Sequence, residues 1–415
     1  MEKLIVTGGK KLEGTIELSG AKNAALPILV GSLFANDAVT LKNIPRDMED
    51  IQVMLKIIEH IGAKVIGETC IDPTNIREWE IPEDLGAQTR ASILMLGCLL
   101  VKLGKVKIPA PGGCKIGERK FDIHIDGLRA LGAKIKVEED IIEGEVVKFK
   151  GTNFRLRLPS TTGTENIVLA ACFAEGHTTL ENAHTRPEVL DFINFLNSMG
   201  AKISVPTNGC IEIDGVAKLH GSEYTVMGGE DEAITYVAAA GVMHGSIYIR
   251  HANISNIEYP VAAFRRAGLE ISDTKDGIHV SGPDELKPTY IITAPYPGIN
   301  SDLQPFFAVL ATQAEGISRI TDTRFTERFQ YVHELKKMGA RIEVDGNTSI
   351  VSGKSKLKGA KVEAMDLRAG GALVVAGLAA EGETELTNVY QIDRGYEHIE
   401  KKLSGLGADI KRIET

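Results

Sequence analysis

The chain has 415 residues, 43% of them hydrophobic and 25% charged, and a formal net charge of −9. That length favours two domains over one, and the acidic balance speaks against general nucleic-acid binding. The apolar runs are too short to span a bilayer and no signal peptide opens the chain, so a cytoplasmic protein without a membrane partner is expected.

In chain order, a strand-like segment over 1–20 comes first. A recurring set of elements follows. Apolar, Ala-rich helices are predicted at 23–34, 90–103, 165–174, 232–243, 303–314 and 368–380. After each come a glycine and a short strand, as at 176–180 and 382–386, then a polar loop. A second, amphipathic helix closes the set, as at 188–199 and 396–406. Each second helix runs into a Gly-centred element: Ile61-Gly62-Ala63-Lys64, Leu131-Gly132-Ala133-Lys134, Met199-Gly200-Ala201-Lys202, Ala267-Gly268-Leu269-Glu270, Met338-Gly339-Ala340-Arg341 and Leu406-Gly407-Ala408-Asp409. Glycine there suits the left-handed residue that ends a helix.

Successive glycines of these elements are 70, 68, 68, 71 and 68 residues apart, so six units fill the chain. One unit alone is too small to bury its nearly all-apolar first helix. Three units can pack those helices inward with their sheets outside. This predicts an α/β protein of two three-unit domains, 21–227 and 1–20 plus 228–415, with the chain crossing twice between them, near 20 and 228.

The residues ahead of the helices carry the chemical signal. Lys22-Asn23, Arg90, 160–164, Asp302 and 366–368 precede first helices; Arg119, 186–188, Arg328 and Arg394 precede second helices. A cation at a helix N-terminus opposes the macrodipole. Its repetition predicts a bound phosphate or carboxylate, against the alternative of solvated or ion-paired surface residues. Asp302 reads either as an N-cap or as a general base facing cations. Asp366 and Arg368, two apart, are expected to orient one another.

The five cysteines, Cys70, Cys98, Cys114, Cys172 and Cys210, are odd in number and lack zinc-ligand spacing, so neither a disulfide framework nor a metal or other cofactor is expected. Cys114 stands apart. It sits in Pro111-Gly112-Gly113-Cys114-Lys115-Ile116-Gly117-Glu118-Arg119, a glycine-rich loop whose Lys115 and Arg119 favour thiolate. The other four lie in apolar or strand-like settings.

These residues resemble the enolpyruvyl transferase family over the whole chain. The carrying segments are Leu18-Ser19-Gly20-Ala21-Lys22-Asn23-Ala24-Ala25, Arg90-Ala91-Ser92, the cysteine loop, Ser301-Asp302-Leu303-Gln304, Asp366-Leu367-Arg368-Ala369-Gly370 and Ile392-Asp393-Arg394-Gly395-Tyr396-Glu397. The cysteine loop points to the branch that acts on UDP-N-acetylglucosamine in peptidoglycan synthesis and is inhibited by fosfomycin. The resemblance implies a fold of paired inside-out α/β barrels, with phosphoenolpyruvate and a UDP-sugar as substrates. It further implies that Lys22, Arg119 and Arg394 hold phosphoenolpyruvate, that Cys114 delivers a proton to its methylene carbon, and that Asp302 deprotonates the acceptor hydroxyl. Asn23, Arg90, Lys120, Phe121, Asp122, Ile123, Ser160, Thr161, Thr162, Gly163, Arg324, Arg328, Asp366 and Arg368 complete the implied substrate-binding set.

The sequence departs from the family's pattern at several places. Thr161-Thr162-Gly163-Thr164 stands for Val-Gly-Ala-Thr, Gly228-Gly229-Glu230 for Pro-Asp-Arg, and Lys120 for a proline. Arg324 replaces a small apolar residue, Arg186 an acid and Gln391 a histidine. Most of these are expected to touch the acceptor or the hinge rather than phosphoenolpyruvate. Two other readings stay open: a paralogue using another uridine nucleotide or sugar, and a non-catalytic regulator that binds nucleotide sugars.

Overall fold

A computed structural model describes residues 2–110, 121–138, 140–325 and 328–414. The chain forms two compact units. Among the described residues, one unit comprises 2–19 with 228–414, and the other comprises 20–227.

Each unit is built around three apolar helices that pack on one another. In the first unit these are Glu230–Val242, Gln304–Gln313 and Leu367–Ala379; in the second they are Lys22–Ser32, Leu94–Leu103 and Thr161–Ala171. They are buried on all faces, and their sequences accordingly show little amphipathic periodicity. The predicted third helix, 165–174, in fact begins at Thr161, because the Ser160 hydroxyl caps it by accepting from the Gly163 N–H at 3.3 Å.

The sheets share one plan. In the second unit, Asn153–Arg155 precedes a central helix and His177–Glu181 follows it. The two pair in parallel, and the hairpin Lys202–Thr207/Cys210–Asp214 extends the sheet antiparallel. Tyr290–Ile292, Gly316–Thr321, Thr348–Gly353 and Ile342–Asp345 repeat this in the first unit. In the three-stranded sheet of Lys105–Pro109, Ile141–Glu145 and Lys134–Glu138, the parallel edge strand is reduced to a bridge between Glu80 and Lys107.

Two edge strands are exchanged. Glu13–Glu17 leads into the helix Lys22–Ser32 but pairs with Ser246–Arg250, while Glu223–Thr225 leads into Glu230–Val242 but pairs with Val39–Lys42. The segment 2–19 is therefore integral to its unit. Glu2–Thr7 lies between Glu383–Thr387 and Asp409–Glu414, and the Ser19 N–H donates to buried Glu232 at 2.8 Å.

All six predicted helix-ending glycines have φ between +92° and +110°, where a Cβ would be strained. No helix among the described residues is long and apolar enough to cross a membrane.

Candidate active site

In the unit of 228–414, the fold gathers four of the predicted site residues. The Asn300 side chain accepts from the Asp302 N–H at 3.3 Å and starts the turn Ser301–Leu303 that leads into Gln304–Gln313. Asn300 is thus the cap, and the Asp302 carboxylate is left for other partners. Arg328 Nη1 donates to Asp302 Oδ1, and Arg328 Nη2 stands 3.8 Å from Asp366 Oδ1. The Arg328 backbone is pinned in turn: its carbonyl accepts from Gln304 Nε2 at 2.7 Å, and Gln304 Oε1 accepts from the Tyr331 hydroxyl at 2.8 Å.

Arg368 completes the array. Its Nη2 donates to Asp231, its Nε lies 3.8 Å from Asp302 Oδ2, and its guanidinium sits over the Tyr396 ring, 5.3 Å from the centroid. Burial works against the charge, but Asp231, Tyr396 and Asp302 overcome it and raise the guanidinium above its ordinary value. The side chains of Arg328 and Arg368 are 2% and 4% exposed, and that of Asp302 is 23% exposed. The Asp302 carboxylate is thus fixed by two buried cations yet open enough to accept a hydrogen bond from a ligand hydroxyl.

Two expectations for this unit change, those for the Asp366–Arg368 pair and for Arg394. Asp366 and Arg368 do not pair through their side chains: Asp366 caps the helix Leu367–Ala379 by accepting from the N–H groups of Arg368 and Ala369 at 2.8 and 2.9 Å. Arg394 does not stand at the start of the second helix. It ends the short helix Tyr390–Asp393, and the second helix, Ile399–Gly405, begins after His398 in a left-handed conformation. The Arg394 side chain is buried and donates to Gln391 Oε1 at 3.3 Å. Arg324 is exposed, with its guanidinium over the Phe325 ring at 5.4 Å.

The unit of 20–227 holds the other described candidates. Lys22 begins the helix Lys22–Ser32 and donates to buried Asp50 at 2.8 Å, with Asn23 half-buried beside it. Arg90 opens the turn Arg90–Ile93 close to the buried imidazole of His124. Phe121 precedes the helix Asp122–Ala130, Asp122 pairs with Arg157, and the Ile123 side chain lies in the core, which leaves only its backbone for a ligand. Thr161 and Thr162 occupy the first turn of Thr161–Ala171. Thr161 Oγ1 lies 2.8 Å from His184 Nδ1, and Thr162 Oγ1 lies 3.3 Å from His124 Nε2. Gly163 has no room for a side chain, since a Cβ would come within 2.9 Å of Ile123 and Ser160. Cys114, Arg119 and Lys120 lie outside the described residues.

Four of the cations at helix starts have carboxylate partners within the protein: Lys22 with Asp50, Arg186 with Glu188, Arg328 with Asp302, and Arg368 with Asp231. Their conflict with the helix dipole is therefore offset without a bound anion, so helix-start position alone does not mark a ligand site.

Residues 6–403 match the EPSP synthase (3-phosphoshikimate 1-carboxyvinyltransferase) family. The chain belongs to this family. It is 43% identical to the UDP-N-acetylglucosamine 1-carboxyvinyltransferase of Idiomarina loihiensis, covering 100% of both chains. It is likewise 43% identical to the enzyme of the same name from Halothermothrix orenii, again covering 100% of both. Among solved structures, the enolpyruvyl transferase NikO from Streptomyces tendae superposes with a TM-score of 0.90 at 24% identity, over 99% of this chain and 98% of that one. EPSP synthase from Acinetobacter baumannii superposes with a TM-score of 0.79 at 18% identity, over 100% of both chains. These two similarities establish the fold, and the full-length relatives make the chain an enolpyruvyl transferase.

For this family member, sequence reasoning missed Asp50, His124, Asn166, Glu165 and Asp231. Asp231 lies 137 residues from Arg368 along the chain, and no local pattern announces such a pair. His124 reads locally as one position of an amphipathic helix. Only packing reveals that it is buried beside Arg90 and neutral, with its pKa lowered to about 3 by burial and by that cation.

Proposed function

We propose that this enzyme transfers the enolpyruvyl group of phosphoenolpyruvate to the 3-hydroxyl of UDP-N-acetylglucosamine and releases phosphate, the first committed step of peptidoglycan synthesis in the cytoplasm. The carrying observation is full-length identity of 42–44% to several enzymes named for that reaction. The Asp302–Arg328–Arg368 array supports it.

In this reading Asp302 orients the acceptor hydroxyl and takes its proton as the oxygen bonds to C2 of phosphoenolpyruvate. Cys114 gives a proton to C3, forming a tetrahedral intermediate. Loss of a C3 proton and of phosphate restores the double bond on the acceptor. Lys22, Arg119 and Arg394 bind the phosphate and carboxylate of the donor. Asn23, Arg90, Lys120, Phe121, Asp122, Ile123, Ser160, Thr161, Thr162, Gly163, Arg324, Arg328, Asp366 and Arg368 serve the acceptor and the reacting groups. We also read the recurring sheet plan as six repeats forming two inside-out barrels, with domains at 21–227 and 1–20 plus 228–415.

The deciding assay is phosphate release from phosphoenolpyruvate with UDP-N-acetylglucosamine, UDP-glucose, UDP and UMP as acceptors. The highest kcat/KM is expected with UDP-N-acetylglucosamine; a preference for UMP would move the enzyme to another acceptor. Lys22→Ala and Arg394→Ala should each lower kcat/KM for phosphoenolpyruvate by about 2–3 kcal/mol in transition-state terms, as for loss of a charge-assisted contact. Unchanged kinetics in either variant would remove that residue from the donor site.

Alkylation supplies a second test. Fosfomycin, an epoxide, should label Cys114 first. Cys98 and Cys172 are buried with their thiols pushed up to about 12 by burial, so little thiolate exists there at neutral pH. Peptide mapping that finds adducts on Cys98 or Cys172 before Cys114 would refute this assignment.

A further inference from the structure

We infer that His124 is a positioning residue whose tautomer, set by Asn166, makes the Thr162 hydroxyl a hydrogen-bond donor to the diphosphate of the acceptor. This rests on the acceptor assignment proposed above.

A short 3₁₀ turn interrupts the start of one central helix. The turn Arg90–Ile93 passes into the helix Leu94–Leu103. An uninterrupted α-helix would pair the Ile93 carbonyl with the Gly97 N–H. The Asn166 side chain, reaching in from the neighbouring central helix, spans those two groups. Its Oδ1 accepts from the Gly97 N–H at 2.9 Å, and its Nδ2 donates to the Ile93 carbonyl at 2.9 Å. Such an approach requires glycine at 97, where a Cβ would meet Asn166 Oδ1 at 2.4 Å. One backbone donor and one backbone acceptor thus determine which way the amide faces.

Asn166 Nδ2 has a second hydrogen, and it meets His124 Nδ1 at 3.0 Å. A group that can only donate makes Nδ1 the acceptor. The imidazole is neutral, because it is buried and Arg90 stands beside it. Its one proton therefore resides on Nε2, which lies 3.3 Å from Thr162 Oγ1. His124 donates and Thr162 accepts, so the Thr162 hydroxyl proton points away from His124. Thr162 is half-buried in the first turn of its helix, where the partial positive charge of the helix end favours an anion.

Thr162→Val should raise KM for UDP-N-acetylglucosamine roughly 10–100-fold, the loss expected for one hydrogen bond to a charged group. KM for phosphoenolpyruvate should stay within about twofold, and Thr162→Ser should restore the acceptor KM. Asn166→Asp reverses the polarity of the relay: its carboxylate can only accept, which draws the proton to Nδ1 and forces Thr162 to donate to Nε2. This variant should match Thr162→Val, and the double variant should be no worse than either. Nitrogen-15 NMR of the wild type should show His124 protonated on Nε2, a readout independent of turnover and of whether Asn166→Asp folds. An Nδ1-protonated His124, or a Thr162→Val enzyme with the wild-type acceptor KM, would overturn the relay. If the wild type does not use UDP-N-acetylglucosamine, the functional reading fails separately. Titration of UDP into wild type and Thr162→Val then decides the relay: equal affinities refute it, and weaker binding by the variant supports it.

Discussion

Asp302→Asn is expected to lower kcat for phosphate release roughly 10²–10⁴-fold, the range for removing a general base. Asparagine keeps the shape and one acceptor oxygen but carries neither the charge nor the proton affinity. Arg328 and Arg368 hold the carboxylate in place, so the substitution removes the charge without freeing the group from its partners. The fold should survive, because Arg328 keeps Asp366 within 3.8 Å and Arg368 keeps Asp231. A thermal midpoint near that of the wild type, with kcat reduced and the acceptor KM nearly unchanged, is the expected pattern. A kcat within threefold of wild type would mean that another group, or water alone, removes the proton.

The second large effect concerns stability. Glu165 lies on the central helix Thr161–Ala171, is 1% exposed, and has no hydrogen-bond partner at either carboxyl oxygen. Burial, helped by Glu188 and opposed by Arg186, raises its pKa from 4.5 to about 8. Between those values the native chain keeps a proton that the unfolded chain has released. Raising the pH therefore favours the unfolded state, and stability is lost progressively from about pH 4.5 upward. By pH 8 the loss is on the order of 4 kcal/mol. Glu165→Gln removes the titration. Its thermal midpoint should match that of the wild type near pH 4.5 and exceed it clearly at pH 8. Parallel pH profiles for the two proteins would show that Glu165 is ionised in the native state.

The sequence by itself determined the local elements and the class of chemistry. Helix-ending glycines at a spacing of 68–71 residues mark where second helices stop, since only glycine tolerates those backbone angles cheaply. All-apolar helices have to be central because no face of them can meet water. The segments around Lys22, Cys114, Asp302 and Arg394 name the family because they are contiguous in sequence.

Partnerships were a different matter. Position before a helix suggested anion sites, and packing supplies Asp50, Glu188, Asp302 and Asp231 as protein partners for four of those cations. Of the two readings of Asp302, cap or base, the cap is taken by Asn300. His124 and Asn166 carried no signal at all, because the hydrogen bonds that orient them join groups 38 to 73 residues apart. Propensity and periodicity act over a few residues, whereas the protonation and direction of a buried polar group depend on whichever distant chain segment packs against it. Only the tertiary structure decides that.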